Sequence, residues 1–424
     1  MPVSSCAVSP APAFPSRPVA FGAYFVALAF MVYQLTLQTM FVPLSGFICK
    51  DLSMTAIQGS VVSASFLAVY ACMQIPAGVL LDRFGSTWLV PMACVILGLA
   101  AFYFSWIHTL TGALVARMLM GAVAAFAFPA VGMAARRGLP PFMFPLMMGL
   151  ADIGFGLGGV IGNFGSALLQ PMLGWRGTMQ VAAAFALPMA IIALWLLPRQ
   201  WFGAAVVAKE EANAHGGLRR VLASRDVWLA AVIYGGGCGT VYGFGSMWNQ
   251  QLALAWDWSP AQASVISTSF FIGVGLGAPL TGWLGGKFGP ERPLKWGLWL
   301  TFVMLLIWMK PRILLGPELP RLFAPPLWFD SANVGLIGLG VASSVLAFEI
   351  GCRSLPTRLT ATTVGVINLA GVGCGAALQV IPSIVPEIMT SERYTEVQAA
   401  HLFFVAALIA AIIACAKVKR VPRS

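Results

Sequence analysis

Apolar residues in this chain run in long stretches broken by short polar turns. A helix needs about 20 predominantly apolar residues to cross a ~30 Å hydrocarbon core. Twelve stretches reach that length, at approximately 21–47, 57–81, 87–107, 111–135, 144–169, 177–198, 227–254, 261–284, 294–315, 331–353, 360–386 and 398–416. One interval is longer and more polar. It covers 199–226, with Arg199, Lys209, Glu210, Glu211, Arg219, Arg220, Arg225 and Asp226, and Gly216-Gly217 reads as a break. The pattern predicts an all-α polytopic membrane protein. A disordered cytoplasmic tail (1–20) precedes a six-helix bundle (21–198), a cytoplasmic linker (199–226), a second six-helix bundle (227–416) and a basic cytoplasmic tail (417–424).

The two halves repeat each other. Gln58-Gly-Ser-Val-Val-Ser63-Ala-Ser-Phe66 returns as Gln262-Ala-Ser-Val-Ile-Ser267-Thr-Ser-Phe270, each copy preceded by Asp-x-Ser (Asp51–Ser53, Asp257–Ser259). The same spacing of 204 sets Gly78, Phe84 and Gly85 on Gly282, Phe288 and Gly289. A spacing of 216 sets Leu139-Pro140 on Leu355-Pro356, Gly149 on Gly365 and Asp152 on Asn368. An ordered series of this kind predicts parallel repeats related by an axis along the membrane normal.

Charge refines the picture. Only 9% of residues are charged, 59% are hydrophobic and the mean hydropathy is +0.85. A soluble domain carries far more charge. The net charge of +11 raises the question of nucleic acid, but the basic residues sit in short loops between apolar runs. With both termini inside, eighteen Lys and Arg fall on inner loops and tails and six on outer loops, leaving Arg117 within a span. That is the positive-inside bias of a membrane protein, so no nucleic-acid partner is expected. The eight Cys and three His form no ligand cluster or Cys-x-x-Cys, so neither a metal site, a cofactor nor a disulfide framework is expected. Residues 1–20 lack the basic n-region and short h-region of a cleaved signal.

Between the second and third spans lies a tight charged turn, Gly78-Val-Leu-Leu-Asp82-Arg83-Phe84-Gly85. It resembles the loop between helices 2 and 3 of major facilitator superfamily transporters, Gly-x-Leu-x-Asp-Arg-x-Gly-Arg-[Lys/Arg]. The match holds through Gly85, after which Ser86 and Thr87 stand where the family has basic residues. Arg117-Met-Leu-Met-Gly121 resembles the family's fourth-helix motif, and the glycine-rich run Gly154–Asn163 resembles its fifth-helix motif without the usual Pro. The resemblance implies twelve transmembrane helices in two pseudo-symmetric six-helix bundles that rock about a central site. It also implies gating roles for Gly78, Asp82, Arg83 and Gly85. The second copy of the turn has Gly286 in place of the acid, so any clamp depends on the first half.

Charges inside spans are costly and mark function or a partner. Arg117 either joins proton transfer and the central cavity, as the resemblance implies, or snorkels to the outer surface. Asp152, two turns into the fifth span, is either a protonation site or a bridge to Arg136 or Arg137. Glu349 either takes part in proton coupling or forms an i,i+4 pair with Arg353. Family members draw substrate contacts from helices 1, 4, 7 and 10. Tyr33, Gln34 and Gln38 in the first span, Tyr242, Trp248 and Asn249 in the seventh, and Asn368 are candidates here. Tyr33 and Trp248 also fit as interfacial or packing aromatics. No dedicated basic clamp is present, which favours a neutral, zwitterionic or amphipathic small molecule.

The expectation is a secondary active transporter, proton-coupled and monomeric, in a bacterial inner membrane. Efflux by antiport, and a non-transporting sensor or lipid scramblase on the same fold, are alternatives. A membrane-embedded enzyme is disfavoured, because no nucleophile, metal cluster or catalytic carboxylate pair is apparent.

Overall fold

The computed structural model describes residues 17–197, 214–249, 252–253, 256–315, 325–389 and 393–419. Each of the twelve apolar stretches forms helix there. In chain order α1 is Arg17–Thr39 continued by Phe41–Asp51, α2 Ala56–Phe84, α3 Ser86–Phe104, and α4 Leu110–Ala124 continued by Ala127–Gly138. Next, α5 starts as Phe144–Val160, passes a π-helical turn at Ile161–Gly165 and enters Ser166–Ala184. Within that last stretch the chain reverses at Gly174, at φ +66°. The residues beyond this reversal, together with Ala186–Leu196, form α6. In the second half α7 is Arg225–Thr240 with the π-helical Val241–Trp248, α8 Pro260–Phe288 and α9 Glu291–Leu315. Then α10 is Leu327–Val341, a 3₁₀ stretch Ala342–Leu346 and Ala347–Arg353, succeeded by α11 (Thr360–Met389) and α12 (Arg393–Ala416). Among the described residues ten helices are long and apolar enough to cross a membrane.

Two boundaries differ from the sequence reading. Helix α1 starts at Arg17, inside the expected tail, whose other residues, 1–16, lie outside the described ones. The linker is undescribed over 198–213, and the Gly216-Gly217 pair lies within a helix, Ala214–Leu222, rather than at a break. Docking accounts for this: Val221 is fully buried and Gly217 packs toward Leu359.

The internal repeat is physical. Thr55 and Ser259 are the N-caps of α2 and α8, and Gln58 and Gln262 complete a capping box in each. That is why Gln recurs at a spacing of 204. The same register pairs Ser53 with Asp257, the two non-glycine residues with positive φ among the described residues. It corrects the Asp-x-Ser alignment, which is two residues out of step. At the other end, Gly85 (φ +78°) and Gly289 (φ +88°) each end one helix on the threshold of the next, a backbone that glycine takes without steric cost. The spacing of 216 likewise sets the 3₁₀ turn Pro141–Met143 on Thr357–Leu359.

The halves meet along two seams, α2 against α11 and α5 against α8. Gly78 faces the Ala361 carbonyl and Gly365 the Gln74 carbonyl; across the other seam Gly282 faces Pro145 and Gly149 faces Ala278. These four contacts are one pair repeated by the two spacings. They lie toward the end that carries the start of α1 and the tail after α12. A Cβ at Gly282 would stand 2.7 Å from the Pro145 oxygen and 3.0 Å from the Leu146 Cα. Gly282→Ala is therefore expected to weaken this seam by about 1–3 kcal/mol, the usual cost of overpacking. Thermal unfolding of the purified variant, and maleimide access to a cysteine placed at Leu146, read it out.

Candidate functional site

Between the halves, above the seams, lies a cavity of ≈ 50 Å³. It is walled by Met31, Gln34 and Leu35 of α1, Tyr70 of α2, Phe128 of α4, and Asp152 and Phe155 of α5. The second half supplies Tyr234, Cys238, Val241 and Tyr242 of α7, Val274 of α8, Val341, Ala342 and Ser344 of α10, and Asn368 of α11. Regular winding fails in two of these walls. Val241 and Tyr242 open the π-helical stretch of α7, and Ala342 and Ser344 lie in the 3₁₀ stretch of α10. Such irregular turns recur at functional positions in helices. Glycines at 235–237, 239, 243 and 245 precede and enter the π-helical segment of α7.

Among the described residues Asp152 is the one carboxyl in this wall. Its repeat partner Asn368 donates to the Tyr70 hydroxyl at 3.4 Å. Tyr70 maps onto Val274, which offers nothing polar, so the repeat leaves Asp152 without the corresponding partner. Nor do the arginines of α4 reach it. Arg137 pairs with Asp82 at 3.0 Å, and Arg136 donates to the Leu355 carbonyl at 3.1 Å. The bridge from Asp152 to Arg136 or Arg137 is thus replaced by contacts to Asp82 of α2 and to the backbone that leads into α11.

That seam is organised by Asp82. Its carboxylate accepts from the backbone N–H groups of Ala361 (3.0 Å) and Thr362 (2.7 Å), at the start of α11, and from Arg137. A carboxylate at a helix N-terminus satisfies unpaired N–H groups and faces the positive end of the helix dipole. Gly78, one turn earlier, lets the backbones approach: a Cβ there would stand 2.5 Å from the Ala361 oxygen. Arg137 also donates to the Thr357 and Arg358 carbonyls at 3.3 and 2.8 Å. Arg83 does not join. It is exposed, its guanidinium 5.0 Å from the Phe84 ring centre. The basic member of this network is Arg137, whose doubled position at the end of α4 was the signal available in the sequence.

The second half is built differently. With Gly286 in place of the acid, Arg353, the repeat partner of Arg137, stays within its own half. It pairs with Glu291 of α9 and lies 3.7 Å from Asp226 of α7. It also donates to the Lys419 carbonyl at 2.7 Å. The i,i+4 pair with Glu349 does not form, because these acids hold the guanidinium. Glu349 itself is half-buried and lies outside the cavity wall.

Arg117 is only 2% exposed, which overturns snorkelling to the surface. It donates to the Leu37 and Gln38 carbonyls at 3.2 and 3.4 Å and lies 4.9 and 4.7 Å from the ring centres of Phe41 and Phe66. It fastens α1 to α4 and α2 inside the first bundle and is not part of the cavity wall. Arg117→Lys is expected to lose about 1–2 kcal/mol of stability, since an ammonium cannot reproduce the planar fork and ring stacking. A lower thermal midpoint with unchanged ligand affinity would check this.

Of the expected substrate contacts, Gln34, Tyr242 and Asn368 reach the cavity. Four do not. Tyr33 turns into its own bundle and donates to the Ala182 carbonyl at 3.1 Å. Gln38 lies a turn beyond the cavity, its carbonyl taken by Arg117. Trp248 is buried, and Asn249 donates to the Gly245 carbonyl at 2.6 Å. Tyr70, Phe128, Phe155 and Tyr234 complete the wall; no periodicity distinguishes these aromatics from packing residues.

The family model described as Major Facilitator Superfamily matches residues 24–251. Among curated proteins the chain is 25% identical over 150 residues to an uncharacterised MFS-type transporter of Methanocaldococcus jannaschii, covering 34% of this chain and 39% of that one. It is 31% identical over 119 residues to "Probable anion transporter 4, chloroplastic" of Arabidopsis thaliana, covering 28% and 22%. Over 123 residues it is 30% identical to the uncharacterised transporter YybO of Bacillus subtilis, covering 29% and 28%. The matches thus span well under half of each relative. Among solved structures, the E. coli fucose:proton symporter FucP superimposes with TM-score 0.67 at 14% identity over 94% of this chain and 100% of that one. FucP in an outward conformation gives 0.64 at the same identity and coverage. At this identity the likeness is one of fold.

Proposed function

Since the chain belongs to the Major Facilitator Superfamily, we propose that it is a secondary active transporter that carries a small organic molecule by alternating access, coupled to protons through Asp152. The observation that carries this reading is the central cavity at the junction of the halves, with an unbridged carboxyl in its wall. Rocking of the halves exposes such a cavity to each side in turn. The α2–α11 and α5–α8 seams hold one side shut in the present state, and Asp82 is the charged latch on the first of them. A proton on Asp152 removes the charge of the cavity wall, so protonation and ligand occupancy bias the same two-state equilibrium.

No Lys or Arg lines the cavity among the described residues, and Asp152 gives it negative charge when ionised. A strongly anionic substrate is therefore disfavoured, despite the name of the plant relative. The Lys and Arg bias supports placing both termini on the cytoplasmic side of the membrane.

The test is solute flux in proteoliposomes holding the full chain, under an imposed pH gradient and across a panel of uncharged, cationic and anionic solutes. Gradient-dependent accumulation of one class, absent from empty liposomes, supports the proposal. Absence of any solute-dependent proton movement across the panel overturns it and favours a non-transporting role.

A further inference from the structure

We propose that the cavity selects an organic monocation, and that the cation and the proton occupy the Asp152 carboxylate in turn, which makes the protein an exchanger. The proposal rests on the transporter reading above and adds the substrate class and the sense of coupling. The cavity wall carries one carboxylate and five aromatic rings, Tyr70, Phe128, Phe155, Tyr234 and Tyr242. Ring faces attract a desolvated cation through the ring quadrupole, whereas a neutral solute gains only burial. The other ionisable groups close to Asp152 are Tyr24 of α1 and Tyr234, Cys238 and Tyr242 of α7; Tyr70 of α2 shares the cavity wall. All are groups whose ordinary form near neutral pH carries no charge. Among the described residues the carboxylate therefore has no counter-ion, and its charge is balanced by a proton or by a ligand.

Position within the fold strengthens this. Asp152 and Phe155 belong to the first half, Tyr234 and Tyr242 to the second, and Phe155 meets Tyr242 edge to face at 5.7 Å between ring centres. A cation held between the carboxylate of one half and the rings of the other bridges the elements that must move. At ≈ 50 Å³ the present cavity has space for a few waters, so entry of a quaternary head requires Phe155 and Tyr242 to part. The exchange balances: the protonated carboxyl plus a free cation gives the carboxylate–cation pair plus one released proton.

Choline and its uncharged isostere 3,3-dimethylbutan-1-ol are suitable probes, because choline has a permanent charge and does not itself release protons. The full chain in lipid nanodiscs, weakly buffered with a pH-sensitive dye, is titrated with each at matched ionic strength. The expected result is choline-dependent proton release, saturating toward one per protein, with none from the isostere. Asp152→Asn should abolish the release and Asp152→Glu retain it. Tyr234→Leu should weaken choline about tenfold while Tyr234→Phe, which keeps the ring, leaves it within about twofold. Equal binding of the isostere, or choline binding without proton release, overturns the proposal, as does absence of any choline response. Should the proteoliposome panel instead reveal proton-driven accumulation of an uncharged solute, the transporter reading stands and the cation assignment alone fails.

Discussion

In proteoliposomes under a gradient of one pH unit, Asp152→Asn is expected to reduce the accumulation ratio of the transported solute to about one. One pH unit is worth about 1.4 kcal/mol per proton, a tenfold concentration ratio at most for one proton per solute. A coupled carrier converts that gradient into a solute gradient; a carrier that cannot change protonation does not. Asparagine is a well-matched replacement, because it is the residue that stands at the repeat-related position 368 of the same wall. The variant should therefore fold. Counterflow exchange, which needs no proton, separates the roles of the side chain. An organic cation should lose exchange along with accumulation, because its counter-charge is gone. An uncharged solute would keep exchange. Normal concentrative uptake by Asp152→Asn would remove Asp152 from coupling altogether.

The second large effect concerns the latch. Asp82→Asn is expected to shift the protein toward the state in which the α2–α11 seam is open. The carboxylate meets two backbone N–H groups and a guanidinium, and its side chain is 7% exposed. Breaking a largely buried charged network of this kind costs on the order of 3 kcal/mol, about a hundredfold in an equilibrium between two conformations. The sign comes from geometry: the bonds from Ala361 and Thr362 cross between the halves and exist only while the seam is closed, and Arg137, which belongs to the same half as Asp82, ties itself to the second half through the Thr357 and Arg358 carbonyls. Val364 faces Gly132 across the α4–α11 part of the same interface. A Val364→Cys reporter in a background lacking the other cysteines should react with maleimide much faster once Asp82 is neutralised. Unchanged labelling would reduce Asp82 to a helix cap without a gating role. Arg83→Ala, in contrast, should leave labelling unchanged, since its guanidinium lies on the exposed ring of Phe84.

The two halves differ in a way that bears on the order of opening. The α2–α11 seam has both close backbone packing and the Asp82 latch, whereas at the repeat-related place Gly286 faces the Phe142 carbonyl. Arg353, freed from a partner across the seam, is held by acids of its own half. The first seam thus carries a carboxylate bonded to the start of α11, and the second has Gly286 at the corresponding place.

The number and order of the helices, the six-plus-six division and the paired glycines at 78, 149, 282 and 365 could be read from the chain. Hydrophobic length, capping boxes and positive-φ turns are local requirements, written in neighbouring residues. The repeat even marked Asp152 and Asn368 as equivalent before any contact was known. What the sequence left open was direction. Whether Arg117 reached the surface or the first bundle's interior, and whether Arg137 answered Asp82 or Asp152, depends on helix rotation and on partners 55 or more residues away. Tyr33 and Gln34 are adjacent, yet one closes on α6 and the other lines the cavity. A bilayer makes every helix surface apolar, so the usual contrast between inward and outward faces is weak, and small-residue contacts between helices decide which side chains meet. The sequence by itself therefore determined a repeated twelve-helix membrane protein; only the packing of its two halves decided that an unbridged carboxyl lies in their common cavity.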